Sequence, residues 1–119
     1  MTEHPAGASG EKIDIETFKR ADIRIGEIRS AEKVENADKL LRLSVGFGGE
    51  EVRQIISGIA AYFPDPSVLV GKKVAFAYNL EPRTIRGLES DGMILAAVDD
   101  DGKFSLLEAS GVAPGARTR

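Results

Sequence analysis

Apolar and polar residues alternate along much of this chain in runs that end at glycine or proline. Alternation with a period of two is the pattern of a strand with one face buried. Leu41, Leu43, Val45 and Phe47 alternate with Arg42, Ser44 and Gly46, and Val74, Phe76, Tyr78 and Leu80 alternate with Ala75, Ala77 and Asn79. Ile23 and Ile25 flank Arg24, then Gly26 intervenes and the apolar parity moves to Ile28, which predicts a long first strand bent by a β-bulge at the glycine. Gly48-Gly49 predicts a hairpin turn into a third strand over 51–57. Met93–Val98 reads as a fifth strand, and Asp99–Gly102 as a tight turn into extended residues 104–108.

Helical pattern is scarce. Ile15 and Phe18 lie at helical spacing behind Asp14, a suitable cap, and predict one turn that seals a barrel end. Ile59–Phe63 and Ser67–Val70 read as brief helical turns, stopped by Pro64, Pro66 and Gly71. Residues 1–12 are rich in Gly, Ala, Ser and Pro and read as a disordered leader. The division expected is therefore a leader over 1–12, a domain over 13–98 and a C-terminal extension over 99–119. Five short strands with helical material between the third and fourth predict an all-β fold, a five-stranded Greek-key barrel.

At 119 residues the chain builds one core. It has no cysteine and a single histidine, His4. Disulfides, thiolate metal sites and histidine-based catalysis are excluded or left without residues, and no cofactor is expected. Asp99-Asp100-Asp101 reads as a solvated acidic turn, Ser57-Gly58 lacks the flanks of a nucleophile elbow, and no Lys-Ser/Thr follows Gly48-Gly49 to make a phosphate loop. No catalytic or metal-binding residues are assigned. The apolar runs are too short for a spanning helix or a signal peptide, so no membrane association and a cytoplasmic location are expected.

The formal net charge is −3, which by itself speaks against a nucleic-acid partner. Its distribution changes the picture: residues 1–16 carry −3, 99–119 carry −1, and the intervening block carries +1. Within that block 72–86 reaches +3, from Lys72, Lys73, Arg83 and Arg86 against Glu81. Arg83 and Arg86 stand three apart on a Pro- and Gly-bounded connection between two strands, where guanidinium forks would suit phosphates. A solvated hairpin with two ordinary surface arginines fits the same spacing. Arg42 lies opposite Leu41 and Leu43, and Arg24 opposite Ile23 and Ile25, so both are expected on one outer barrel face beside Lys39. Plain solvation of a sheet would look alike. Phe47, Phe76 and Tyr78 share the apolar parity of their strands and read as core. Few aromatics remain to stack bases, which favours recognition of backbone shape, or of one or two splayed bases, over generic single-strand binding.

Taken in order, DIRIGEI at 22–28, NADKLLRLSV at 36–45, ISGIAAYFPDP at 56–66, LVGKKVAFAYNLEPRTIRG at 69–87 and SDGMILAA at 90–97 closely resemble the tRNA-binding domain family. The resemblance implies an OB-fold that occurs free-standing, as the appended C-terminal domain or the β-subunit of methionyl-tRNA synthetases, and in eukaryotic multi-synthetase cofactors. It implies a non-catalytic protein that grips the outer corner of tRNA by shape, often as a homodimer built with residues 99–119, and with methionyl-tRNA synthetase as a possible partner. Ala75 and Ala77, small residues off the core parity, would admit a close neighbour at such an interface. Carried over by residue, the resemblance puts Asn36, Lys39, Arg42, Arg83, Arg86, Ser90 and Met93 at the RNA surface, joined less directly by Ser57 and Asn79. Arg24 enters from the face argument alone, and Met93 would equally serve as a core cap. Asp91 stands where the family usually has Glu, and Glu81 adds an acid near the basic loop. The alternatives are a chaperone-like relative that binds unfolded peptides and a protein–protein adaptor for a synthetase.

Overall fold

The computed structural model describes residues 10–119; most of the expected leader lies outside the described residues. Among the described residues a short helix, α1 (Ile15–Lys19), precedes nine strands: β1 (Ile23–Val34), β2 (Ala37–Gly46), β3 (Val52–Ser57), β4 (Lys73–Ala77), β5 (Arg83–Ile85), β6 (Leu88–Ser90), β7 (Met93–Ile94), β8 (Ala96–Val98) and β9 (Phe104–Leu106). The main sheet runs β3-β2-β1-β4-β7, and every pairing in it is antiparallel. Two-strand ribbons β5-β6 and β8-β9 extend from it. This is the expected all-β, OB-like architecture.

The core follows from the alternation. Leu41, Leu43 and Val45 of β2, with Ile28, Ile55, Val74, Phe76 and Leu69, are wholly buried in one cluster. Leu69 comes from the second of two 3-10 turns, Ala60–Tyr62 and Pro66–Leu69, which fill the link between β3 and β4 as expected. Gly48 and Gly49 both take positive φ, +98° and +58°, and turn the chain from β2 into β3.

Four expectations need correction. The bulge is not at Gly26: the β1–β4 register runs evenly through it, and the β1–β2 register shifts between Ile28 and Ser30 and again between Lys33 and Val34. Gly26 is there for space, since a Cβ would lie 2.5 Å from Val45 and 2.8 Å from Phe47. The apolar parity changes because β1 is buried on both sides. Ile28 lies in the main core, and Ile25, paired with Ala75, forms a buried patch outside it. Secondly, among the described residues α1 seals nothing. Asp14 caps it through the Thr17 N–H at 2.8 Å, yet Ile15 and Phe18 remain 61% and 50% exposed. Thirdly, the fourth strand stops at Ala77, and the fifth is broken at Leu95 into β7 and β8. Finally, the connection over 82–92 is itself a hairpin, β5-β6, whose two turn residues Arg86 and Gly87 both have positive φ. That is the geometry of a two-residue turn matched to strand twist.

The C-terminal extension lies along the domain's own edges. Ala75 donates to Leu107 O at 2.9 Å, Ala109 to Lys73 O at 2.9 Å, and Gly115 and Ile25 exchange bonds through Gly115 N to Ile25 O (2.7 Å) and Ile25 N to Ala116 O (2.9 Å). The neighbour that Ala75 admits is thus this chain's own 107–109 segment. A Cβ at Gly115 would collide with the Phe47 carbonyl, so this closure depends on glycine.

Candidate nucleic-acid interface

Two hairpin tips stand side by side. The β1–β2 hairpin contributes Asn36, Ala37, Asp38, Lys39 and Leu40, and the β5–β6 hairpin contributes Ile85 and Arg86; together they line an open groove of about 640 Å³. Asn36 and Arg86 both adopt left-handed backbone, φ +64° and +52°. The Arg86 guanidinium donates through Nη2 to the Asn36 carbonyl at 2.6 Å. Lys39 is exposed on the β2 wall, and Arg83 is exposed at the base of the neighbouring hairpin, opposite Ser90. Among the described residues the side chain of neither Lys39 nor Arg83 has a hydrogen bond or ion pair, so both charges face solvent ready for an anion. Ala37, Leu40 and Ile85 give the groove an apolar floor without an aromatic ring. Such a surface can hold phosphate oxygens and the edge of a sugar or base, with no platform for extended stacking.

The fold brings Asn36, Lys39, Arg83 and Arg86 into this region and places the other expected residues differently. Arg42 projects from the outer face of β2, where Glu32 engages it through Arg42 Nη2 at 2.5 Å. It borders a shallow hollow of about 250 Å³ with Ser30, Ser44 and Gln54. Met93 is 41% exposed and paired with Ala77, so it does not cap the core. Ser57 ends β3, half-buried, opposite Leu41. Both ends of the Asn79 amide are occupied: Oδ1 accepts the Asp22 N–H at 2.9 Å, and Nδ2 donates to Arg20 O at 2.7 Å.

Ser90 is a correction. It is 1% exposed, and its hydroxyl accepts the Ile56 N–H at 2.9 Å, so it faces the protein interior and not the surface. Arg24 is another. It pairs with Phe76 across β1 and β4 and so shares the core-facing side with Gly26 and Ile28; it does not share a face with Arg42.

Arg24 belongs to a cluster that sequence reading missed. Its guanidinium lies 4.0 Å from the Tyr78 ring centroid, and that of Arg53 lies 3.8 Å from it. Tyr78 reaches both Glu51 oxygens at 2.7 Å, Arg53 pairs with Glu51 at 3.0 Å, and Arg24 pairs with Asp22 at 2.9 Å. The hydrogen bond from Arg24 holds the Asp22 carboxyl below the usual carboxylate range, and that from Tyr78 does the same for Glu51. The same bond raises the Tyr78 phenol above its ordinary value. Parity held the clue to Arg53, which sits two residues before the core residue Ile55. These charges plug a mouth of the barrel near the start of β1, whereas the groove lies at its far end.

Residues 23–117 match the family described as "Putative tRNA binding domain". The methionine–tRNA ligase of Porphyromonas gingivalis is 46% identical over 119 residues, covering 98% of this chain and 17% of the ligase. A MetRS-related protein from Pyrococcus horikoshii has the same fold with a TM-score of 0.84 and 39% identity, covering 92% of this chain and 99% of that one. The CsaA chaperone protein of Picrophilus torridus superposes with a TM-score of 0.80 at 25% identity, over 91% of this chain and 100% of that one. The chain belongs to the tRNA-binding domain family. It spans 14% to 17% of the length of the methionine–tRNA ligases that lead its curated relatives, and the family it matches is described as a binding domain. Among the described residues no helix is long and apolar enough to cross a membrane, and no group of acidic or histidine side chains could hold a metal ion.

Proposed function

We infer that this chain is a non-catalytic, structure-specific tRNA-binding protein that acts alone or as the tRNA-binding appendage or β-subunit of a methionine–tRNA ligase. The observation that carries the reading is the pair of cations, Lys39 and Arg83, whose side chains have no partner among the described residues, set beside the groove that Asn36 and Arg86 bridge. A local patch on a chain of net charge −3 gives modest, salt-sensitive affinity, and shape selects the RNA. Held beside a ligase, such a domain raises the local tRNA concentration without performing chemistry. A homodimer, with residues 99–119 contributing to its interface, would offer two grooves to one L-shaped molecule; sedimentation at micromolar concentration giving the mass of one chain would remove that part.

The test is a titration with unfractionated tRNA at two salt concentrations, with length-matched single-stranded RNA and duplex DNA as competitors. Salt-sensitive binding that survives both competitors is expected. Binding lost equally to either competitor, or absent at low salt, would overturn the reading. A chaperone-like role has one observation in its favour: Ile13, Ile15 and Phe18 expose an apolar stretch at 62%, 61% and 50%. Capture of an unfolded peptide, blocked by polar substitutions at these three positions and indifferent to Arg83→Ala, would bring that reading first. A synthetase adaptor would likewise be indifferent to Arg83→Ala in its docking.

A further inference from the structure

Among the described residues only two non-glycine positions have positive φ, and they are bonded to each other. Asparagine is at home in left-handed backbone; arginine is not. The β5–β6 turn would be served better by Asn-Gly than by Arg86-Gly87, so its conformation gives no reason for arginine. The reason lies across the groove. Arg86 Nη2 reaches the Asn36 carbonyl, fifty positions away in sequence, at 2.6 Å. Among the described residues no backbone hydrogen bond ties the β5–β6 tip to the β1–β2 tip; the β5–β6 ribbon is fastened at its other end, through Ser90 to Ile56 and Gln54 to Glu89 O. The guanidinium is the polar tie between the two walls of the groove.

We propose that Arg86 is a positioning residue, a clasp that fixes the β1–β2 tip against the β5–β6 tip, while Arg83 and Lys39 supply the phosphate contacts. The two arginines of the 82–87 segment thus have different tasks. This rests on the tRNA-binding reading for its functional half, and on the free protein alone for its structural half. Pre-organising both walls removes from binding the cost of ordering them. Counterion release counts only the cations that touch phosphate, which gives the two tasks different signatures.

The experiment compares the full chain with Arg86→Asn and Arg83→Ala. Arg86→Asn creates the favoured turn dipeptide, so the hairpin stays folded while the clasp is lost. Hydrogen exchange on the RNA-free proteins reads the clasp, and titration of unfractionated tRNA over a series of salt concentrations reads the contacts. For Arg86→Asn the amides of 34–40 should exchange faster by about tenfold. Its tRNA affinity should fall by about tenfold with an unchanged salt slope. For Arg83→Ala exchange should be unchanged and the slope shallower by about 0.7–0.9. Unchanged exchange at 34–40 in Arg86→Asn would overturn the clasp. So would a slope loss in that variant equal to that of Arg83→Ala, which would make Arg86 a phosphate ligand. If the unaltered chain binds no tRNA, the functional reading fails by itself, and the exchange measurement still decides whether the clasp exists.

Discussion

The hydroxyl of Ser90 accepts the N–H of Ile56 at 2.9 Å inside the protein, joining the end of β6 to an edge strand of the main sheet. The same oxygen lies 3.2 Å from the Gly92 carbonyl, to which it can donate. Ser90 therefore stands in for the strand that β3 lacks on that side, and the hairpin carrying Arg83 and Arg86 hangs from it. Ser90→Ala leaves the Ile56 N–H without a partner in a buried setting, a cost of about 1–3 kcal/mol. Urea unfolding should show a lower midpoint with an unchanged slope. Full stability together with lost tRNA binding would instead return Ser90 to the RNA surface.

Lys39 and Arg83 are expected to behave as independent phosphate contacts, because they stand on different hairpins without a shared partner. Lys39→Ala and Arg83→Ala should each make the logarithmic salt dependence of tRNA binding shallower by about 0.7–0.9, and the double variant by about twice that. Thermal stability should stay within about 0.5 kcal/mol, as for ordinary surface positions. Arg42→Ala serves as the contrast: with Glu32 already on its guanidinium, it should change the slope less. A slope that ignores Lys39 and Arg83 would remove the groove from the interface.

Much of this was legible from the pattern of residues, and the exceptions have distinct physical causes. Leu41, Leu43 and Val45 announced β2 because one face meets the core and the other meets solvent. Ile25 and Ile28 misled because β1 buries both faces, so parity no longer distinguishes inside from outside. Arg24 was misplaced by the same step: with Ile25 taken as core-facing, its neighbour was assigned to the surface. Ser90 and Asn79 are polar residues in a loop-like stretch, and sequence gives no sign that their hydrogen bonds are spent on Ile56, Asp22 and Arg20. The Arg86–Asn36 contact joins two turns far apart in the chain, and only the folded domain brings them together. The short helix shows the reverse failure, since apolar spacing at Ile15 and Phe18 predicted burial that the described residues do not supply.

Gly26 offers a sharp test of packing. A Cβ there meets side chains of Val45 and Phe47 at 2.5 and 2.8 Å in the middle of the core. Gly26→Ala should cost about 1–3 kcal/mol through overpacking. Gly111 has an ordinary backbone and open space around its Cβ position, so Gly111→Ala should be neutral or stabilising by about 0.4–1 kcal/mol through the unfolded chain. Chemical denaturation of the two variants side by side checks both. Equal midpoints would mean that β1 moves freely away from β2, contrary to the close approach.

The plug of Arg24, Tyr78, Arg53, Glu51 and Asp22 should make the fold sensitive to acid. Asp22 and Glu51 have folded-state pKa values below their ordinary ones, chiefly through hydrogen bonds from Arg24 and Tyr78 respectively. A depressed folded value means that the carboxylates' contribution is complete above the unfolded-state value, near about 4. It then disappears as the pH falls through the lower folded value. Urea midpoints measured from pH 7 down to pH 3 should therefore decline more steeply for the unaltered chain than for Tyr78→Phe, which removes the phenol donor from Glu51, or for Asp22→Asn. Both variants should start less stable at pH 7 and converge on the unaltered chain in acid. Curves that stay parallel over the whole range would show that these two carboxylates gain nothing from their partners in the folded state.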